Sequence, residues 1–144
     1  MSVVIEQLKR AQKIDLDAIG IKATETHGTA IVDLNRDQLR KGQKGEGDMP
    51  GYWSSAYLNY KQSLSSYFAG GKTDLFLTGD FQKSMFLRIA GKSAEISATD
   101  YKTPDLLEKY GEGIFNLNKD FKPQAHELTT PTFYKLAHDF LQGK

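Results

Sequence analysis

The hydrophobic positions at the start of the chain recur with a helical period. Val4, Ile5, Leu8, Ala11, Leu16 and Ile19 fall on an imperfect stripe that predicts a helix over residues 3–19. Past Gly20, residues Ile31, Leu34, Gln38 and Leu39 share one face, so a second helix is expected over 25–41, with Gly42 as its stop. Residues 42–51, GQKGEGDMPG, hold four glycines and a proline. Their backbone entropy resists regular structure, and a flexible loop or arm that orders against a partner is expected there. The next stretch, YWSSAYLNYKQSLSSYF, crowds in aromatic rings, and Trp53, Tyr57, Tyr60 and Leu64 follow one another at four, three and four residues, which predicts one aromatic helical face.

The period then changes to two. Met85, Leu87 and Ile89 alternate with Phe86, Arg88 and Ala90, and beyond Gly91-Lys92 the residues Ala94, Ile96 and Ala98 alternate with Glu95, Ser97 and Thr99. Alternation on both sides of a glycine turn predicts an antiparallel hairpin. A short helix is expected from Thr103 as N-cap and Pro104 as first residue to a stop at Gly111. Residues 112–128 look irregular. A terminal helix is expected to open at Thr130-Pro131, with Phe133, Leu136, Ala137, Phe140 and Leu141 on its inner face. Together these elements predict an α+β fold: one domain over residues 1–144, with a small antiparallel sheet around a central hairpin and helices at both ends.

Composition narrows the function classes. Nineteen basic residues against 18 acidic ones leave a formal charge of +1, whereas sequence-independent nucleic-acid affinity needs clustered Lys and Arg that release counterions. Specific nucleic-acid binding is therefore not expected. With no cysteine, disulfides, thiol catalysis and thiolate metal sites are excluded. The apolar run at residues 3–5 is too short for a signal peptide, and no stretch approaches the roughly 18 apolar residues of a membrane helix. A soluble chain made in the cytoplasm, with no membrane partner, is the expectation.

Candidate chemistry is sparse. His27, His126 and His138 lack a spacing that would put two imidazoles on one metal. No serine stands in a GxSxG context. The carboxylate pairs Asp33/Asp37, Asp15/Asp17 and Glu108/Glu112 lie among cations on faces expected to be solvated. The glycine-rich segment matches no phosphate-binding pattern. Asp33, Asn35 and Asp37 imitate the opening of a calcium loop, but the glycine and glutamate that such a loop needs further on are missing. No catalytic, cofactor-binding or metal-ligating residue is assigned. The Thr78-Gly79-Asp80 turn before the hairpin is read as a corner, in which Gly79 supplies a backbone angle other residues resist and Thr78 or Asp80 bonds a nearby amide.

Leu75, Thr78, Gly79, Phe81, Ser84 and Met85, the hairpin through Ile96, then Leu107, Tyr110 and Gly111, and finally Pro131, Phe133 and Ala137 form an order that resembles the virion morphogenesis and tail-completion proteins of tailed bacteriophages. Roughly half the chain is covered. Two departures are visible: the segment before Thr78-Gly79 is Gly-rich and aromatic where such proteins carry basic residues, and Ile114-Phe115-Asn116-Leu117 replaces a short polar loop. The resemblance implies a structural protein of the neck or tail top that joins head to tail as a homo-oligomeric ring, contacts other neck and tail proteins, and resides in the virion after assembly in the host cytoplasm. Ring closure needs two different sticky faces on each subunit. The interface candidates are Tyr52, Trp53, Tyr57 and Tyr60 from the aromatic cluster and Phe86 and Arg88 from the hairpin. Two other readings stay open: a cytoplasmic protein-binding module that uses the same aromatic surface, and a small hydrolase built on Asp80 and a histidine.

Overall fold

A computed structural model describes residues 3–144. Its class is α+β, with seven α-helices and two antiparallel sheets of two strands each among the described residues. The helix expected over 3–19 is two helices, α1 (Val3–Ala11) and α2 (Leu16–Thr26). Asp15 breaks the run because its carboxylate accepts the Ala18 N–H at 3.0 Å, an N-cap bond that competes with continued helix. The five-residue gap between Ala11 and Leu16 in the apolar stripe marks that break. α3 (Gly28–Arg40) begins at Gly28, where an added Cβ would lie 3.2 Å from Leu87 Cδ2. A glycine there lets the helix approach the hairpin closely.

The segment expected to be a flexible arm carries a small ladder, β1 (Gln43–Lys44) with β2 (Gly47–Asp48). It is tied down at several points. Gly45 N–H donates to Gly113 O at 2.8 Å, Lys44 Nζ to Tyr110 O at 2.9 Å, and Met49 N–H to Gly42 O at 2.8 Å. Met49 itself is buried in the core. One apolar side chain and a few main-chain bonds offset the entropy that the glycines lose, which composition does not reveal.

α4 (Ser55–Gln62) is shorter than the expected aromatic helix, and the four-residue α5 (Asp80–Lys83) leads into the hairpin of β3 (Met85–Ala90) and β4 (Ser93–Ala98). The hairpin pairs as its alternation predicts, Ala90 with Ser93 and Arg88 with Glu95, and Gly91 at φ 61° takes the left-handed place in its two-residue turn. α6 (Thr103–Tyr110) ends at Gly111 with φ 82°. Thr103 is not its cap: the hydroxyl is buried without a partner, and Asp100 instead organises the start by accepting the Lys102 and Thr103 amides.

A 3₁₀ turn (Glu112–Phe115) precedes α7 (Lys122–Leu141), a single 20-residue helix. The expected start at Thr130-Pro131 is therefore corrected, since Pro131 lies inside α7. The Thr129 and Thr130 hydroxyls donate back to Ala125 O at 3.1 Å and His126 O at 2.6 Å, so they serve the preceding turn rather than opening a new one. The core gathers Val32, Leu39, Met49, Phe81, Met85 and Ile114, with Leu87, Ile96 and Leu107 against them. Amides from α3 stitch in the irregular stretch: Asn35 Nδ2 donates to Ile114 O at 2.8 Å, Gln38 Nε2 to Asn116 O at 2.7 Å, and Asn118 N–H to Gln38 Oε1 at 2.7 Å. Pairing offsets the burial of these amide N–H groups and of the Gln38 oxygen, while Asn35 Oδ1 is buried without a partner. No helix among the described residues is long and apolar enough to cross a membrane.

Candidate docking site

Residues 73–84 form a corner whose shape is set from below by a buried ion pair. Lys61, on α4, and Asp74 are 1% and 0% exposed, with Nζ 2.9 Å from Oδ1. The same Asp74 oxygen accepts from Tyr52 OH at 2.9 Å and from the Phe76 N–H at 3.1 Å, while Gln82 Nε2 donates to Asp74 O at 2.8 Å. Lys61 Nζ also donates to Phe76 O. These bonds hold Leu75 at φ 54°, a left-handed angle that a branched apolar residue adopts only under constraint. From outside, the Arg40 guanidinium lies 3.9 Å from the centre of the Phe76 ring and donates to Ser66 O at 2.7 Å.

Gly79 turns the chain into α5 with φ 87°, and a Cβ there would sit 2.9 Å from Phe76 Cε2. Thr78 Oγ1 accepts the Asp80 N–H at 3.4 Å. Phe81 goes into the core, and Ser84 closes the corner by donating to Phe81 O at 2.8 Å and accepting the Asp100 N–H at 3.0 Å. Leu75, Thr78, Gly79, Phe81 and Ser84 are thus one continuous turn between the ion pair and β3. No hydrogen bond joins Asp80 to a histidine among the described residues; His27 Nε2 meets Thr132 Oγ1 at 2.7 Å and His138 lies 3.8 Å from Asp139. Among the described residues no group of three or more His, Asp or Glu is placed to hold a metal ion.

Above this corner opens an apolar cleft of about 440 Å³. Trp53, Tyr57, Leu75 and Leu77 form one side, Leu106 and Tyr110 of α6 the other, with Lys102 and Lys109 at its margin. Trp53 is 93% exposed and Leu77 52% exposed. The expected helical face of Trp53, Tyr57, Tyr60 and Leu64 does not form, because Ser54 caps α4 through the Tyr57 N–H at 3.2 Å. That cap leaves Trp53 ahead of the helix, projecting into solvent, while Leu64 falls beyond its end. Tyr52 turns inward to Asp74 and stacks edge-on to Tyr57 at 5.0 Å, and Tyr60 follows Tyr57 at 6.2 Å. Burial, reinforced by the neighbouring Asp74 carboxylate, pushes the Tyr52 phenol far above its ordinary pKa, against a smaller opposing effect of the Asp74 N–H. Burial also raises Tyr57 and Tyr67.

The structure therefore brings Tyr52, Trp53, Tyr57, Leu75 and Phe81 to one cleft, with Tyr60 at its flank. Phe86 and Arg88 lie apart, on the outer face of β3, where Arg88 Nη2 reaches Glu95 Oε2 at 3.1 Å. Sequence reasoning missed Lys61, Asp74, Leu77 and the α6 wall. Lys61 sits in an aromatic run and Asp74 thirteen positions later, and nothing in their spacing pairs them. Compared with protein families, with curated proteins and with solved structures, the chain has no match.

Proposed function

We propose that the protein is a structural subunit of the neck or tail top of a tailed-phage virion, and that it works by docking to neighbouring copies and to other neck and tail proteins rather than by chemistry. The observation that carries this reading is the exposed Trp53 at the mouth of an apolar cleft built on a rigid corner. A monomer gains nothing from holding an indole in water, whereas aromatic anchors seated in pockets dominate protein interfaces. The corner beneath it contains Leu75, Thr78, Gly79, Phe81 and Ser84, the first five of the residues on which the resemblance to tail-completion proteins rests, and its buried ion pair pre-orders the cleft so that little entropy is lost on docking.

Particle imaging and mass measurement test this. Rings, or subunits located at the neck of virions, are expected, and Trp53→Ala should reduce assembly at least about tenfold, the effect of losing an interface anchor, while leaving the circular dichroism spectrum unchanged. A protein that is strictly monomeric and captures one defined non-viral partner through Trp53 would replace the reading with that of a cytoplasmic binding module.

A further inference from the structure

The central hairpin has two open edges. Its geometry fixes which backbone groups point inward: Ala90 and Ser93 close a two-residue turn, and Thr99 N–H donates to Ser84 O at 3.3 Å, so the even residues of β3 bond the odd residues of β4. The odd residues of β3 and the even residues of β4 point outward. At Met85 the outward carbonyl is taken by Arg36 Nη2 at 3.1 Å. Beyond it, no hydrogen bond among the described residues reaches the outward N–H or C=O groups of Leu87 and Ile89, or of Ala94 and Ile96 on the other edge. Each edge borders a groove lined also by the subunit's own body, about 360 Å³ between β3 and Gly28, Thr29 and Arg36 of α3, and about 420 Å³ between Ala94 and Ile96 of β4 and Phe115-Asn116.

Side chains on the outer face fit the same partner. Arg88 directs Nε and Nη2 at one oxygen, Glu95 Oε2, at 3.3 and 3.1 Å. Arg88 Nη1 and Glu95 Oε1 have no partner among the described residues. A second hairpin laid against the β3 edge, antiparallel and with its Glu95 beside Arg88, would place a carboxylate at the free side of the guanidinium. The same register sets Leu87 opposite Ile96 and Ile89 opposite Ala94 of the neighbour, with all their outward groups paired, about four main-chain hydrogen bonds per contact.

We propose that copies of this chain join by strand addition, the β3 edge of one subunit pairing with the β4 edge of the next, with Arg88 of the first facing Glu95 of the second. The contact is head-to-tail, since the two edges differ, and every subunit offers one of each. Both open edges are then covered, and the charges alternate along the sheet. This inference rests on the docking reading: the two hairpin edges supply the two different faces a ring subunit requires, and the aromatic cleft is left for the other neck and tail proteins.

Because the chain has no cysteine, engineered thiols report this contact cleanly. Arg88→Cys and Glu95→Cys are made in separate chains, mixed, and oxidised mildly. The proposal expects disulfide-linked dimers in the mixture at least about tenfold faster than in either variant alone, since only the mixed pair brings the two thiols within bonding reach. Adding Ile89→Pro to the Arg88→Cys chain should abolish that cross-link without changing thermal unfolding, because the Ile89 N–H bonds nothing inside the hairpin. Equal cross-linking in mixed and single samples, or none, overturns strand addition. If Trp53→Ala still blocks assembly of otherwise unmodified chains, the docking reading survives that result; if the unmodified chain forms no rings and is absent from virion necks, the docking reading falls too.

Discussion

Replacing Lys61 by methionine removes one half of a fully buried ion pair and keeps most of the side-chain volume. In the parent, Asp74 Oδ1 takes three donors, from Lys61, Tyr52 and Phe76, and Oδ2 has none. Lys61→Met therefore leaves a buried carboxylate with two neutral donors and no counter-charge. Stranding one partner of a buried pair costs about 3–5 kcal/mol, and the surviving bonds place this case near the lower end, about 3 kcal/mol. Against a domain stability of roughly 5–15 kcal/mol, that is a fall in Tm on the order of 10 °C. Urea unfolding followed by far-ultraviolet circular dichroism is the suitable assay, because the single Trp53 is already solvated and its emission reports little of unfolding. Asp74→Leu should cost more, since it strands Lys61, the Tyr52 hydroxyl and the Phe76 amide together. The double variant should cost less than the sum of the singles by at least about 2 kcal/mol. It will not be neutral, as Tyr52 and Phe76 still lose their acceptor. A loss below about 1 kcal/mol for Lys61→Met, or additive singles, would refute the view that this pair holds the corner.

Three further outcomes follow from the same geometry. Gly79→Ala forces a side chain into a left-handed angle, about 1–2 kcal/mol, and against Phe76 at 2.9 Å; the urea midpoint should drop accordingly, and an unchanged midpoint contradicts the packing described. Met49→Ala should cost about 2–5 kcal/mol by opening a core cavity, so that shortening residues 42–51 damages the fold itself; a loop-deleted protein with parental stability would show that the segment is dispensable. The Tyr52 phenol is raised above its ordinary pKa of about 10, so it stays protonated where the unfolded chain ionises. The stability it contributes is complete below about pH 10 and is lost as pH rises beyond that. Tyr52→Phe should flatten the alkaline decline in stability without abolishing it, because Tyr57 and Tyr67 shift the same way; parallel declines in the two proteins would count against the assignment.

The hairpin was legible because its information is local. Alternation over Met85–Ala90 and Ser93–Ala98, joined by a glycine that can take φ 61°, specifies register without reference to the rest of the chain. Gly79 and Gly111 were legible for the same reason: each stands where a turn needs a left-handed angle. The ends of α1, α3 and α7 were read less well. A cap at Asp15 and the back-bonding threonines before Pro131 are choices between nearly equal local options, and packing decides among them. Pro131 normally costs a helix one bond and a steric clash. It is carried inside α7 because that helix packs along α2, with Phe133 against Gly20 and Thr132 bonded to His27.

By itself, then, the sequence determined the α+β class, the hairpin and its register, the corner at Thr78-Gly79-Asp80, and the surplus of aromatic residues between 52 and 68. The tertiary structure alone decided which of those aromatics face water. Trp53 is exposed and Tyr52 turned inward because Ser54 caps α4 between one and the next turn, and because a carboxylate far along the chain supplies the acceptor for Tyr52. It also closed the glycine-rich segment over Met49 and joined Lys61 to Asp74. Such pairings depend on charges and cavities brought together only when the chain has folded, and a one-dimensional pattern holds no term for them.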